Sequence, residues 1–390
     1  MGILLKAKIL LLVLFTSVFS LEAQEGKGSK LNSGWNKISP YFSPPEGLKG
    51  EYGNFRSPLK FYDGKEVKTP KDWEKRRKEI LDRWNGMMGT WPKFLQNQEL
   101  TIIDSIKKEG YTQYKASFNW MPNEKTVGYL LVPDGKGKKP AVITVFYEPE
   151  SAIGEGKEGR DFALQLVKRG FVTLSLGTTE ASKARTYSLY YPSIKDAKVE
   201  PLSMLAYAAA NAWYALSKVT DVDAERIGIM GHSFGGKWAM FASTLFDKFA
   251  CGVWSDPGIV FDETRGSAVN YWEPWYLGYY PPPWQDAWRK TGLVENAKGL
   301  YPKLMKEGYD LHELHALMAP RPFLVSGGSS DPVERWIPLN HTIQVNKLLG
   351  YDNRVAMTNR PDHSPNRESN EQAFLFLEYF LKPDKVLTNK

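Results

Sequence analysis

Short, nearly continuous apolar runs alternate along most of this chain with longer stretches in which apolar residues recur every three or four positions. The short runs are Ala141–Tyr147, Val172–Leu176, Ile227–Met230, Gly252–Ser255, Pro322–Ser326 and Arg354–Thr358. Runs of this length and richness suit strands covered on both faces, the environment of a parallel sheet. Between them, Asp161–Arg169, Ser203–Trp213, Lys237–Ser243, His341–Leu349 and Glu371–Glu378 carry the spacing of helices with one buried face. Ahead of this alternation, Leu100–Ile103, Tyr114–Trp120 and Thr126–Val132 read as the first paired strands. Lys71–Trp84 reads as a helix opened by Thr69 as N-cap and Pro70 at the first helical position. The pattern predicts an α/β protein with a mostly parallel central sheet, helices on both faces and an N-terminal extension.

The ends and the composition narrow this further. Lys6 and Lys8 precede the apolar run Ile9–Phe15, and small residues follow at Ser17, Ser20 and Ala23, so residues 1–23 read as a signal peptide. The run is short against the roughly 20 apolar residues that a membrane span needs. The expectation is a secreted or periplasmic protein with no membrane segment once the signal is removed. Residues 24–98 then form an arm and helix that pack on one large domain, residues 99–390. The lone cysteine, Cys251, excludes an intrachain disulfide, so stability must come from a core. The net charge is +7, but no Lys/Arg stripe accompanies it, and a nucleic-acid partner is not expected. Composition leaves the oligomeric state unknown. The segment Asn270–Trp288, within an insertion at about 262–300, is too rich in Pro and aromatics for a crossover helix.

Chemistry enters at Gly231-His-Ser-Phe-Gly235, with a buried strand before it and a helix after it. A serine at the tip of a tight strand-to-helix turn needs glycines beside it, and the helix aims its first amides at any oxyanion formed there. Ser233 is therefore the expected nucleophile, and the fold the α/β-hydrolase fold. A serine needs a base held by an acid. Of five histidines, His232 lies inside the turn, and His312 and His315 fall one residue short of the HExxH zinc spacing and read as packing groups. His341 adjoins a helix and reads as a cap or surface group, which leaves His363, after the last strand, as the expected base. Asp331, in Gly328-Ser-Ser-Asp331 after a buried strand, is favoured as the acid; the alternative is Asp256, in Ser255-Asp-Pro-Gly258. The expected oxyanion donors are the amide of Phe234 and one near Tyr147, at the end of an earlier strand. Neither a metal nor a cofactor is required.

The aromatic insertion suggests a class of substrate. Trp272, Trp275, Tyr276, Tyr279, Tyr280, Trp284 and Trp288 are candidates to stack on the apolar faces of sugar rings. From about Trp73 to Leu381 the chain resembles bacterial carbohydrate esterases of the α/β-hydrolase superfamily, related to acetyl xylan esterases, glucuronoyl esterases and dienelactone hydrolases. The resemblance rests on Trp73–Ile80, Gly231-His-Ser-Phe-Gly-Gly-Lys237, Ala319–Val325, Gly328–Asp331 and the late His363. It implies hydrolysis of acetyl or uronate esters on a polysaccharide or oligosaccharide, with Lys237 at a substrate-binding position. Glucuronoyl esterases carry an arginine directly after the serine, where this chain has Phe234. In such enzymes the acid can also come from the earlier strand, which keeps Asp256 in view. The rival classes are a serine peptidase of the prolyl oligopeptidase type and a glycan-binding protein with a retired site.

Overall fold

The computed structural model describes residues 34–178, 183, 187–281 and 297–382. The expected signal peptide, Trp284 and Trp288 lie outside them. The chain divides into two compact units, residues 1–40 and 41–390. In the first, residues 34–38 are helical. All that follows concerns the second.

Nine strands form one sheet in the order β1-β2-β3-β5-β4-β6-β7-β8-β9. Three antiparallel strands at one side are β1 (Thr101–Lys108), β2 (Tyr111–Met121) and β3 (Glu124–Pro133), with β3 also antiparallel to β5 (Val172–Leu176). From β5 the sheet is parallel through β4 (Lys139–Val145), β6 (Val222–His232), β7 (Gly252–Ser255), β8 (Phe323–Gly327) and β9 (Val355–Asn359). The five-residue strand β5 is buried throughout, as are β7 and β8, whereas the edge strand β1 is exposed throughout. This is the α/β-hydrolase layout expected from the hydropathy pattern.

The helices follow from local chemistry. In α1 (Pro70–Met88), the Thr69 side chain accepts from Asp72 N–H and Asp72 answers the Thr69 N–H, a capping box with proline at the first position. Its Trp73, Arg76, Ile80, Trp84 and Met88 are buried at three- and four-residue intervals. After α2 (Phe162–Lys168), helix α3 (Pro201–Ser217) is buried from Pro201 to Leu216, and its alanines let it lie close to the sheet. Helix α4 (Phe234–Leu245) starts directly after Ser233 and is wholly buried. Then come α5 (Tyr301–Glu307), α6 (His312–Ala316), α7 (Trp336–Leu348) and α8 (Arg367–Leu381).

The N-terminal part of this unit is fastened by buried polar groups. Glu313 of α6 accepts from Trp84 Nε1 at 3.1 Å and Tyr62 Oη at 3.1 Å, and pairs with Arg76 at 3.4 Å. His312 and His341 are buried, with Nε2 on the carbonyls of Arg56 at 2.6 Å and Tyr52 at 2.9 Å. His341 is therefore neither a cap nor a surface group: it lies inside α7 and fastens the segment before α1. Among the described residues, no group of three His, Cys, Asp or Glu side chains is placed to hold a metal, and no helix is long and apolar enough to cross a membrane.

Candidate active site

The parallel strands end side by side, with Val145 opposite Gly231, His232 opposite Ser255, Ser255 opposite Ser326 and Gly327 opposite Asn359. Loops leaving these ends share one rim of the sheet, the usual place for a site in such folds. Ser233 turns out of β6 with φ +57° and ψ −114°, a strained conformation for a residue with a Cβ. Its amide donates to Ser255 O at 2.8 Å. Glycine is required two residues on, because a Cβ on Gly235 would land inside the carbonyl oxygen of Val145. That close approach sets the first turn of α4 against the end of β4, where Phe146 and Tyr147 follow.

His363 reaches this turn from the loop between β9 and α8. Its Nε2 lies 2.8 Å from Ser233 Oγ and its Nδ1 lies 2.6 Å from Asp256 Oδ2. The imidazole is about two-fifths exposed, whereas the Asp256 side chain is fully buried. Asp256, with φ +50°, turns its carboxylate back toward the rim. Its Oδ1 accepts from Gly328 N at 2.7 Å, Asp331 N at 2.8 Å and Ser330 N at 3.2 Å. A Cβ on Gly328 would sit 2.8 Å from Oδ2, so this cradle also needs its glycine.

The expected acid, Asp331, is not on the histidine. Its carboxylate turns the other way and accepts from Gly258 N at 2.7 Å and Ile259 N at 2.6 Å, with Arg335 Nε at 3.5 Å. The correction has a simple geometry: each aspartate's carboxylate is held by backbone amides of the other's loop, and only Asp256 has an oxygen left facing His363. Burial, and then the charge of Asp256, raise the Asp331 carboxyl to about 6.

The surroundings of the serine are aromatic. Phe234 is buried and stacks on Tyr147 with centroids 4.4 Å apart, so its ring faces inward while its amide begins α4. Tyr147 is half-buried; its carbonyl accepts from Thr178 N at 2.6 Å, and its ring meets Tyr187 at 5.6 Å. His232, the neighbour of Ser233, points Nδ1 at Ser255 O and Oγ, at 3.2 and 3.1 Å, with its ring centroid 4.7 Å from that of His363. Burial first, then the His363 ring and the charges of Arg160 and Arg360, hold the His232 imidazole well below its usual range, which keeps it neutral.

The residues expected to face a sugar are placed otherwise. Trp272, Trp275 and Tyr276 are buried in the hydrophobic core, at 5%, 6% and 2% exposure. The insertion folds back on the domain: Trp272 meets Tyr301 of α5 at 6.1 Å, and Tyr276 meets Phe234 at 6.2 Å. Removing such rings from water is the larger gain; of the three, Trp275 lies 5.2 Å from half-buried Tyr187 and Tyr276 is hydrogen-bonded to Tyr147, so both support the rim from the inside. Lys237 is also buried. Its Nζ donates to Pro257 O and lies 4.2 Å from the centre of the Tyr271 ring, and burial brings its pKa down to about 8. It braces the loop of Asp256 rather than facing solvent.

Two groups at the site carried no clear signal in the sequence. Arg160, half-buried, lies close enough for its charge to act on Tyr147, Glu148 and His232. Arg360, three residues before the histidine, is buried beneath the His363 loop. The second had a weak cue, an arginine among prolines with no acidic partner at helical spacing.

Comparison with known proteins agrees with this architecture. Residues 208–362 match the prolyl oligopeptidase family. A search of curated protein sequences finds no match. Among solved structures, a glucuronoyl esterase from Solibacter usitatus is similar with a TM-score of 0.64 and 18% identity, over 86% of this chain and 99% of that one. A carbohydrate esterase family 15 glucuronoyl esterase from Caldicellulosiruptor kristjansonii gives 0.62 and 19%, over 87% and 93%. A glucuronoyl esterase from Sporotrichum thermophile gives 0.55 and 16%, over 87% and 91%. At these identities the likeness carries the fold, and the chemistry must be argued from the site.

Proposed function

We propose that this chain is an exported serine esterase, secreted or periplasmic, that removes acetyl or uronate ester substituents from polysaccharides or oligosaccharides. The observation that carries the reading is the line Ser233 Oγ, His363, Asp256, with separations of 2.8 and 2.6 Å. It is the arrangement that acyl transfer through a serine needs, with the base able to reach the nucleophile and the acid fixing the base. The three solved structures above are esterases with this fold, which supports an ester over a peptide bond. Among the described residues, helix α1 and strands β1–β3 precede the parallel sheet, and no propeller precedes it.

In this reading Ser233 Oγ attacks the acyl carbon while His363 Nε2 takes the hydroxyl proton. Buried Asp256 accepts a hydrogen bond from His363 Nδ1–H, fixes the tautomer and stabilises the imidazolium. The oxyanion of the tetrahedral intermediate accepts from Phe234 N–H, at the positive end of α4. The end of β4, packed against Gly235, brings the Tyr147 amide in as the second donor. Collapse breaks the ester C–O bond, and His363 returns the proton to the departing alcohol oxygen. Water then attacks the acyl-enzyme with His363 as base, so one ester and one water give one acid and one alcohol.

A sugar lies against the half-buried rings of Tyr147 and Tyr187 at the rim, while Trp275 supports Tyr187 from behind. Neither step requires a metal or cofactor. The test is release of acetate and of methanol from a panel of acetylated and methyl-esterified polysaccharides, with the Ser233→Ala variant alongside. Removal of the nucleophile lowers turnover by roughly 10⁶-fold and abolishes fluorophosphonate labelling. A Ser233→Ala variant with substantial esterase activity defeats the reading.

A further inference from the structure

We infer that Arg360 is a positioning residue for the general base, a buried cation that clamps the His363 loop to the ends of β7 and β8. The inference rests on the reading of Ser233 and His363 as nucleophile and base. Arg360 is 7% exposed. Its Nη1 donates to Ser326 O at 2.8 Å, Ser326 Oγ at 3.1 Å and Gly327 O at 3.2 Å. Its Nη2 donates to His363 O at 2.7 Å and Ser255 Oγ at 3.3 Å, and its Nε to Ser364 O at 2.9 Å.

Every one of these acceptors is neutral, and among the described residues Arg360 has no carboxylate within ion-pair distance. That is an unusual place for a guanidinium, because burying a charge is costly unless something nearby offsets it. Burial does bring the guanidinium below its usual range, and the charges of Asp256, Asp331 and then Asp362 offset that only in part. One side chain thus joins three segments that the reaction needs in register: the strand end before Asp256, the strand end before the Asp256 cradle, and the loop bearing His363.

Apart from the His363 ring on Asp256 and Ser233, the backbone of the loop has few ties. Between β9 and the N-cap of α8 at Asn366 it forms no helix or strand, and Pro361 and Pro365 have no N–H to give. Its backbone anchor to the sheet is Arg360 N on Gly327 O at 3.1 Å. A planar fork with five N–H groups can serve acceptors on three segments at once; a lysine ammonium at the same place cannot. Two of the carbonyls have other partners, since Asp256 N donates to Ser326 O at 3.1 Å and Arg360 N to Gly327 O. Removing the guanidinium therefore leaves the strand ends paired and releases mainly the carbonyls of His363 and Ser364.

The experiment compares Arg360→Ala and Arg360→Lys in the full chain. Misplacing a base by about an ångström costs ~10²-fold, so kcat for a soluble ester falls ~10–100-fold in both variants with KM within about twofold. Guanidinium chloride at low concentration restores Arg360→Ala several-fold and leaves Arg360→Lys and the parent chain unchanged. In an Asp256→Ala background, removing Arg360 costs less than threefold more, because the alignment it serves is already lost. Parent-like kcat in Arg360→Ala, or a full additional loss in the Asp256→Ala background, overturns the inference. If Arg360→Ala does not fold, the Arg360→Lys pair of measurements decides by the same criteria. Failure of the underlying reading looks different, because Ser233→Ala would then retain activity whatever Arg360 does.

Discussion

Replacing Asp256 by asparagine tests the site more sharply than deleting it, because the cradle dictates how the amide must sit. Oδ1 of Asp256 faces the N–H groups of Gly328, Asp331 and Ser330 at 2.7, 2.8 and 3.2 Å. A carbamoyl NH₂ cannot take that position against three donors, so the asparagine oxygen keeps it. The NH₂ is then forced to the place of Oδ2, 2.6 Å from His363 Nδ1. To avoid donor facing donor, the imidazole gives up its Nδ1 hydrogen and carries it on Nε2, which faces Ser233 Oγ at 2.8 Å. A protonated Nε2 has no lone pair with which to accept the serine proton. The same tautomer fault in a serine triad costs about 10⁴-fold in kcat, so Asp256→Asn is expected to lower kcat by ~10³–10⁴-fold, about 4–5.5 kcal/mol in the barrier. Asp331→Asn meets a different geometry. Each of its oxygens accepts one amide, so one N–H of Gly258 or Ile259 is opposed. The cost is about 1–3 kcal/mol of stability, with at most a tenfold effect on kcat. Steady-state kinetics on a soluble acetyl ester, with fluorophosphonate labelling rates as a second readout, compares the two. The reasoning is refuted if Asp331→Asn loses as much kcat as Asp256→Asn, or if Asp256→Asn keeps more than a tenth of the parent rate.

Three further outcomes follow from the geometry. Gly235→Ala pushes α4 off the end of β4 and is expected to cost at least about 1–3 kcal/mol in urea unfolding, with a fall in kcat as the Phe234 amide moves. Trp275→Ala removes a core ring, so it lowers stability by about 3–5 kcal/mol; an unchanged urea midpoint with a raised KM would show instead that the ring serves only the substrate. The Asp331 carboxyl is raised to about 6, from 3.8, so the fold prefers it protonated. Its favourable contribution is complete below about 3.8 and is lost as pH rises through about 6. Relative to Asp331→Asn, the parent chain should lose on the order of 1–3 kcal/mol between pH 4 and pH 7, read from urea midpoints at each pH.

The strands were legible because burial on both faces leaves short apolar runs broken only by Thr or Ser and never by a charge, as in Ala141–Val145 of β4, in β5 and in β8. Their ends were less so. Strand β6 begins at Val222, five residues before Ile227, because Val222 pairs with Lys139; the pairing then breaks at a bulge spanning the polar Asp223 and Glu225 and resumes at Ile227. The elbow was legible because sterics force glycine at Gly231 and Gly235. The choice of acid was not: Asp256 and Asp331 follow adjacent strands in register, each precedes a proline, and each sits near glycine. What separates them is the positive φ of Asp256 and the direction of the Gly328–Asp331 amides, which depend on tertiary contacts. The aromatic insertion shows a similar limit, since composition counts rings without saying whether they face inward.

The order in which the site is assembled has its own consequence. The strained Ser233 directly follows a strand in the interior of the sheet, and the proposed acid comes 23 residues later, at Asp256. Its base stands 130 residues downstream, beyond the edge strand β9. During synthesis the nucleophile is thus made long before anything exists to take its proton. A nascent or truncated chain ending before β9 would display the elbow yet remain chemically inert, and activity would begin only when the far edge of the sheet closes. On the proposed mechanism, turnover therefore reports that the last parallel strand has docked, which would make a simple ester assay a measure of how completely the chain has folded.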